Sequence, residues 1–141
     1  MKASYTLHHH SNWGVLPTKT ITLLDAAVRM TAFEVERAAK LRAPVDTGAM
    51  RASIHTETSK SSNYDRYMPD AKLRRPEAKM FGKLSKAKRL EALVAVGVEY
   101  GAHVEFGTST MAGRPFMKRA LKSQETKFYH RVKDAIRRGA I

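Results

Sequence analysis

Apolar side chains recur every three or four residues along two long stretches of the chain, and charged side chains occupy many of the positions between them. The first stretch runs from Thr18 to about Arg42 and predicts an amphipathic helix. Pro44 ends this helix, because the residue before a proline avoids helical backbone angles. The second stretch begins at Pro115, a residue type suited to a first helical position, and predicts another amphipathic helix to about Arg138.

Between these helices, two short segments have the composition and alternation of β-strands. They are residues 53–59, SIHTETS, and the clearer residues 91–100, EALVAVGVEY. A short helix or turn is predicted before the first strand, in TGAMRAS (47–53), and another after the second, in GAHVEFGTS (101–109). The predicted order is therefore helix, short helix, strand, long connection, strand, short helix and helix.

This order predicts an α+β fold, in which a small, mainly antiparallel sheet packs against two long amphipathic helices, one N-terminal and one C-terminal. The length of 141 residues fits one domain. Residues 1–17 show no period and are interpreted as an N-terminal arm, which leaves 18–141 as the single domain. Residues 59–90 are interpreted as a surface extension, either a long loop or a β-hairpin, because so long a connection in a compact domain usually has a function or lacks order.

The charge is the strongest feature of the composition. The chain has 26 Lys and Arg against 13 Asp and Glu, a formal net charge of +13. Residues 59–90 carry ten basic and three acidic residues, and residues 114–138 carry nine and two. Such a surface attracts nucleic acid, acidic lipid or acidic faces of other proteins.

Other features of the composition narrow the class of protein. The absence of cysteine excludes a disulfide framework, thiolate zinc sites and a cysteine nucleophile. No run of 18 apolar residues is present, and the first residues lack a continuous apolar region, so we expect neither a membrane span nor a secretory signal. Three adjacent histidines, His8 to His10, cannot all converge on one ion, and we expect no metal and no cofactor.

The tripeptide Asp46-Thr47-Gly48 is the one that aspartic proteases carry in their active sites, which raises the question of catalysis. Such catalysis needs two carboxylates that share a proton. Here the tripeptide follows a charged helix and a proline, and the predicted β content is too low for two protease lobes. We therefore expect no enzyme: Asp46 is predicted to cap a short helix, and Gly48 to permit a tight turn. A nuclease would need clustered carboxylates for metal, whereas the acids of this chain are dispersed.

Three short blocks in a fixed order carry a family resemblance. The first block contains Pro44, Val45, Asp46, Thr47, Gly48, Arg51, Ser53 and Ile54; the second contains Tyr100, Val104, Glu105, Phe106, Gly107 and Thr108; the third contains Arg114, Pro115, Phe116, Met117, Ala120 and Leu121. Together they resemble the small neck or tail-component (tail-completion) proteins of lambda-like, long-tailed bacteriophages and prophages, typified by the tenth gene product of a lambdoid siphophage. Gly101 departs from the alanine that often follows the tyrosine, and the arm and the extension lie outside the blocks.

The resemblance implies a structural protein of the virion and no enzymatic activity. It implies an oligomeric ring, commonly of six copies, at the head–tail junction, where it completes or joins the tail. Its implied neighbours are other neck and tail proteins, such as the tail terminator and head-completion proteins, and genomic DNA would pass through the assembled neck. Assembly would take place in the cytoplasm of the bacterial host.

The sequence also predicts roles for several individual residues. Glu105 and Arg114 flank a glycine-bearing loop and are predicted to form an ion pair within or between subunits, while Phe106, Phe116 and Met117 are assigned to the core rather than to an interface. The extension is predicted to embrace an adjacent ring, and acidic proteins are favoured over DNA as its partners. Its candidate partner contacts are Arg66, Tyr67, Lys72, Arg74, Arg75, Lys79, Phe81 and Lys83.

One alternative function stays open: a free, basic nucleic-acid-binding protein. Basic residues with interleaved tyrosines suit single strands, because bases stack on aromatic rings. No helix-turn-helix, RNA-recognition or zinc-finger pattern is present, however.

Overall fold

The computed structural model describes residues 2–6, 16–44, 48–63 and 86–140. Three strands and four helices are formed within these ranges. In chain order they are β1 (Lys2–Thr6), α1 (Thr18–Arg42), α2 (Ala49–Ala52), β2 (Ile54–Thr58), β3 (Glu91–Val96), α3 (Tyr100–Phe106) and α4 (Phe116–Gly139).

The sheet has three strands in the order β1-β3-β2, and both pairings are antiparallel. The register sets Ile54 of β2 opposite Val96 of β3, and Lys2 of β1 opposite Ala95. β1 was not predicted, because residues 1–17 were interpreted as an arm. The structure places five of those residues in the sheet as an edge strand, and residues 7–15 lie outside the described residues.

The two long helices pack against each other and α1 also packs on the sheet. They run antiparallel, since Arg131 of α4 meets Glu34 of α1, whereas Gly139 meets Thr20 near the start of α1. The core lies between α1, β3 and the first turn of α4. Its members include Val28, Val35, Val94, Val96, Phe116 and Met117, each at most 2% exposed.

The predicted α+β class is confirmed, and the boundaries of α1 match the predicted helix. Two boundaries differ from prediction. Pro115 precedes α4 with an extended backbone, ψ 95°, so that Phe116 is the first helical residue. The predicted strand 91–100 ends at Val96: the Gly97 N–H still donates to the Ser53 carbonyl (3.0 Å) in the register of β2 and β3, and helix α3 begins at Tyr100.

Most of the predicted extension, residues 64–85, lies outside the described residues, so its loop or hairpin form stays a prediction. Among the helices that the described residues form, none is long and apolar enough to cross a membrane.

Candidate interaction site

Two buried carboxylates of α1 hold the base of the extension. Asp25, 3% exposed, accepts hydrogen bonds from the Ser59 hydroxyl (3.1 Å) and from the Leu90 backbone N–H (3.2 Å). Arg29 lies 3.3 Å from its other oxygen. Residues 59 and 90 are the two ends of the predicted extension, so one side chain holds both of them against α1.

Glu36 lies about three turns further along the same side of α1 and makes a second attachment. Its carboxylate accepts hydrogen bonds from the Thr56 hydroxyl (2.5 Å), the Asn63 side-chain amide (2.7 Å) and the Lys40 ammonium group (2.6 Å). The Asn63 side-chain oxygen in turn accepts the Thr56 N–H at 2.6 Å. Asn63 therefore ties the outgoing end of the extension to both α1 and β2.

Residues 61–63 fold back along β2. Ser62 forms an isolated bridge with Glu57 and donates its hydroxyl to the Glu57 carboxylate. The Thr58 N–H donates to the Ser61 carbonyl at 2.8 Å. The start of the extension is thus fixed on one flank of α1, whereas its eight candidate contact residues, from Arg66 to Lys83, lie outside the described residues.

A groove of about 620 Å³ lies between this base and the outer face of α1. Phe33 and Leu41 give it an apolar side, and they are 41% and 71% exposed. Arg37 gives it an exposed cation, whereas the charge of Lys40 is paired with Glu36, which also lines the groove. Residues 61–63 form its polar wall. The groove combines apolar and cationic groups, which suits a partner with an apolar side chain beside an acid.

Within one copy of the chain, Glu105 caps the N-terminus of α4 instead of pairing with Arg114. Its buried carboxylate accepts the backbone N–H groups of Met117 (3.0 Å) and Lys118 (2.9 Å), and no ion pair with Arg114 is found among the described residues. Arg114 is exposed and its backbone N–H donates to the Val104 carbonyl. The cap forms because the first N–H groups of a helix lack partners within the helix and favour negative charge.

The three predicted core residues divide into two groups. Phe116 and Met117 are buried, as their helical spacing predicts, but Phe106 is 76% exposed. On α3, the inward positions are taken by Gly101, which lies against Val96, and by Val104, which packs on the core. Phe106 therefore points away from the core.

The loop that follows α3 is held close to it. Gly107 has a φ of 82° and a backbone contact that leaves no room for a side chain, because an added Cβ would lie 2.6 Å from the Gly113 nitrogen. Gly107 pairs with Ala112, and the Thr108 N–H donates to the Met111 carbonyl at 2.8 Å. Met111, 44% exposed, is thus presented close to the end of α3 with Phe106.

The first motif block joins α1 to β2. Gly48 precedes α2 with a φ of 76°, which only glycine adopts at little cost, and it confirms the predicted tight turn. Arg51 donates to the Ala43 carbonyl (3.4 Å), and the buried Ser53 hydroxyl donates to the Met50 carbonyl (2.8 Å). Asp46 and Thr47 lie outside the described residues, so the predicted cap by Asp46 stays a prediction.

The titratable groups of the described ranges do not form a metal centre: no three His, Asp or Glu side chains there are placed to hold an ion. Arg131 donates to both oxygens of Glu34, at 2.5 and 3.1 Å, and this holds the pKa of Glu34 below its ordinary value of 4.5. The pair joins α4 to α1 and is structural.

Sequence reasoning missed the anchoring roles of Asp25 and Glu36. A signal was present, since both acids fall among the apolar positions of α1 that face the sheet, beside Val28, Ala32 and Ala39. Charged residues at such positions need buried partners, and these come from segments that are distant in sequence.

One comparison with known proteins identifies a family. A family model described as "Bacteriophage HK97-gp10, putative tail-component" matches residues 12–107, which include α1, the anchored base of the extension, β3 and α3. The chain belongs to this family of bacteriophage tail components. The third motif block and α4 lie beyond the matched residues. No curated protein and no solved structure matches the chain.

Proposed function

We propose that this tail component is a structural protein of the head–tail connector, where an oligomeric ring of it completes or joins the tail. The observation that carries the proposal is the family match over residues 12–107. That range contains both the groove on α1 and the exposed Phe106, which are surfaces suited to contacts with other proteins.

The surface chemistry supports protein neighbours for the ring. The net charge of +13 favours contacts with acidic faces of adjacent neck proteins, such as a tail terminator or a head-completion protein. The anchored base of the extension supports the same idea, because Asp25 and Glu36 direct its two ends to one flank of the domain. The family match does not support the free nucleic-acid-binding alternative, so it is not proposed.

A gene knockout with complementation in the source phage tests the proposal. Without the chain, we expect lysates that contain DNA-filled heads and separate tails, visible by negative-stain electron microscopy. Wild-type chain supplied from a plasmid restores joined virions. Infectious, joined particles in the absence of the chain would overturn the proposal.

A further inference from the structure

We propose that the groove on α1 receives the exposed face of α3 from a second copy of the chain, so that copies associate head to tail. This inference rests on the proposed ring and specifies which two surfaces of the chain form it.

The exposed face of α3 combines an acidic side chain with a large apolar one. Glu99, His103 and Phe106 follow at intervals of four and three residues, so they lie on one side of the helix, and all three are exposed. Met111, which is also exposed, lies in the loop that follows α3. An exposed surface with an acid and large apolar side chains complements a groove in which the exposed cation Arg37 accompanies Phe33 and Leu41.

The two surfaces lie on different parts of the molecule. α4 packs on α1 where Arg131 binds Glu34, whereas the groove is bounded by α1 and residues 61–63. α3 is attached to the first turn of α4 through Glu105. A contact between two different surfaces of identical copies is heterologous, and such contacts produce a ring when the rotation closes.

A symmetric contact of groove with groove is less favourable, because it would bring two exposed Arg37 side chains together.

Crosslinking tests the contact directly, because the chain has no native cysteine. In the full chain carrying Leu41→Cys and Met111→Cys, a short bismaleimide is expected to give a ladder of covalent oligomers that ends at the size of the ring. The matched control carries Leu41→Cys and Tyr129→Cys, since Tyr129 is 66% exposed on α4, and it should remain monomeric after denaturation.

A charge swap gives independent evidence. Arg37→Glu and Glu99→Arg are each expected to weaken self-association by about tenfold or more, measured by sedimentation velocity. The double variant should recover most of the association, because the ion pair is restored in reverse. Thermal unfolding of each variant separates weakened association from loss of the fold.

The outcomes separate this inference from the ring itself. If the wild-type chain forms a ring but the Leu41/Met111 pair does not crosslink and the reversals have no effect, the inference is wrong and the ring stands. Crosslinking of Leu41→Cys to another tail protein in the particle would also overturn it. If the wild-type chain forms no ring in solution or in the particle, the proposed ring fails and the inference fails with it.

Discussion

Three buried carboxylates hold together parts of the chain that are separated in sequence. They are Asp25, Glu36 and Glu105. Each accepts two or more hydrogen bonds, so the charge that folding removes from water is compensated. Sequence reasoning recognised Glu105 as a motif residue but did not predict its partners within the chain. Its true donors are backbone N–H groups, which look alike in every sequence and become available only where a helix begins nearby.

Replacement of Glu105 tests the cap. Glu105→Ala leaves two N–H groups at the start of α4 without an acceptor, and we expect the free energy of unfolding to fall by about 2 kcal/mol. Glu105→Gln keeps one acceptor and should lose less. Urea denaturation followed by circular dichroism measures both losses.

The control for this variant is Glu125→Ala, which removes an exposed acid from α4 and should change stability by less than about 0.5 kcal/mol. Equal losses for Glu105→Ala and Glu125→Ala would contradict the capping role.

At the scale of elements, the long helices were predictable, and the edge strand and the outward position of Phe106 were not. Periodicity over many residues defines α1 and α4, since each buries one face. β1 has only five residues, and its pairing with β3 depends on a partner more than 80 residues away in the sequence. The exposure of Phe106 depends on which face of α3 meets the sheet, and seven residues are too few to show this.

The close crossing of α1 and α4 depends on Gly139. A Cβ at this position would lie 2.1 Å from the Thr20 hydroxyl oxygen and 2.6 Å from the Thr20 Cα. Alanine normally favours a helix over glycine by about 1 kcal/mol, but here the clash should dominate. We expect Gly139→Ala to destabilise the protein by roughly 1 to 3 kcal/mol in thermal or urea unfolding.

Arg138→Ala, at an exposed neighbouring position, is the control for Gly139→Ala and should be nearly neutral. A Gly139→Ala variant as stable as the wild type would show that the helices separate at little cost.

The Glu34–Arg131 pair predicts a specific pH dependence. Because the folded-state pKa of Glu34 lies below its ordinary value of 4.5, the pair stabilises the folded state above that pH. The contribution is lost as the pH falls through the folded-state pKa. Both side chains are partly exposed, so Glu34→Gln should cost less than about 1 kcal/mol near neutral pH.

Urea unfolding of the wild type and Glu34→Gln at a series of pH values measures this contribution. We expect the difference in stability to shrink as the pH is lowered below 4.5. A difference that stays constant over this range would contradict the role of the ion pair.

At the scale of the whole molecule, the domain presents the groove on α1, the exposed face of α3, and an extension whose base is anchored to α1. The sequence predicted the α+β class and the family from its three motif blocks, but it did not reveal the groove. The groove forms only because Asn63 and Glu36 bring residues 61–63 beside Phe33 and Leu41.

Replacement of residues 64–85 by a Gly/Ser linker tests the extension separately from the fold. Ser59, Asn63 and Leu90 keep their bonds to Asp25 and Glu36, so we expect a folded protein with a nearly unchanged melting temperature. Because the basic residues from Arg66 to Lys83 are removed, this variant should fail to restore joined virions in the knockout. Normal complementation would contradict a role of the extension in joining.

The measurement that tests the central claim most directly is cryo-electron microscopy of the virion neck from the source particle. We predict a ring of density between head and tail tube into which the domain fits, with α3 of each copy on α1 of its neighbour. A neck in which no density fits the chain would contradict the account.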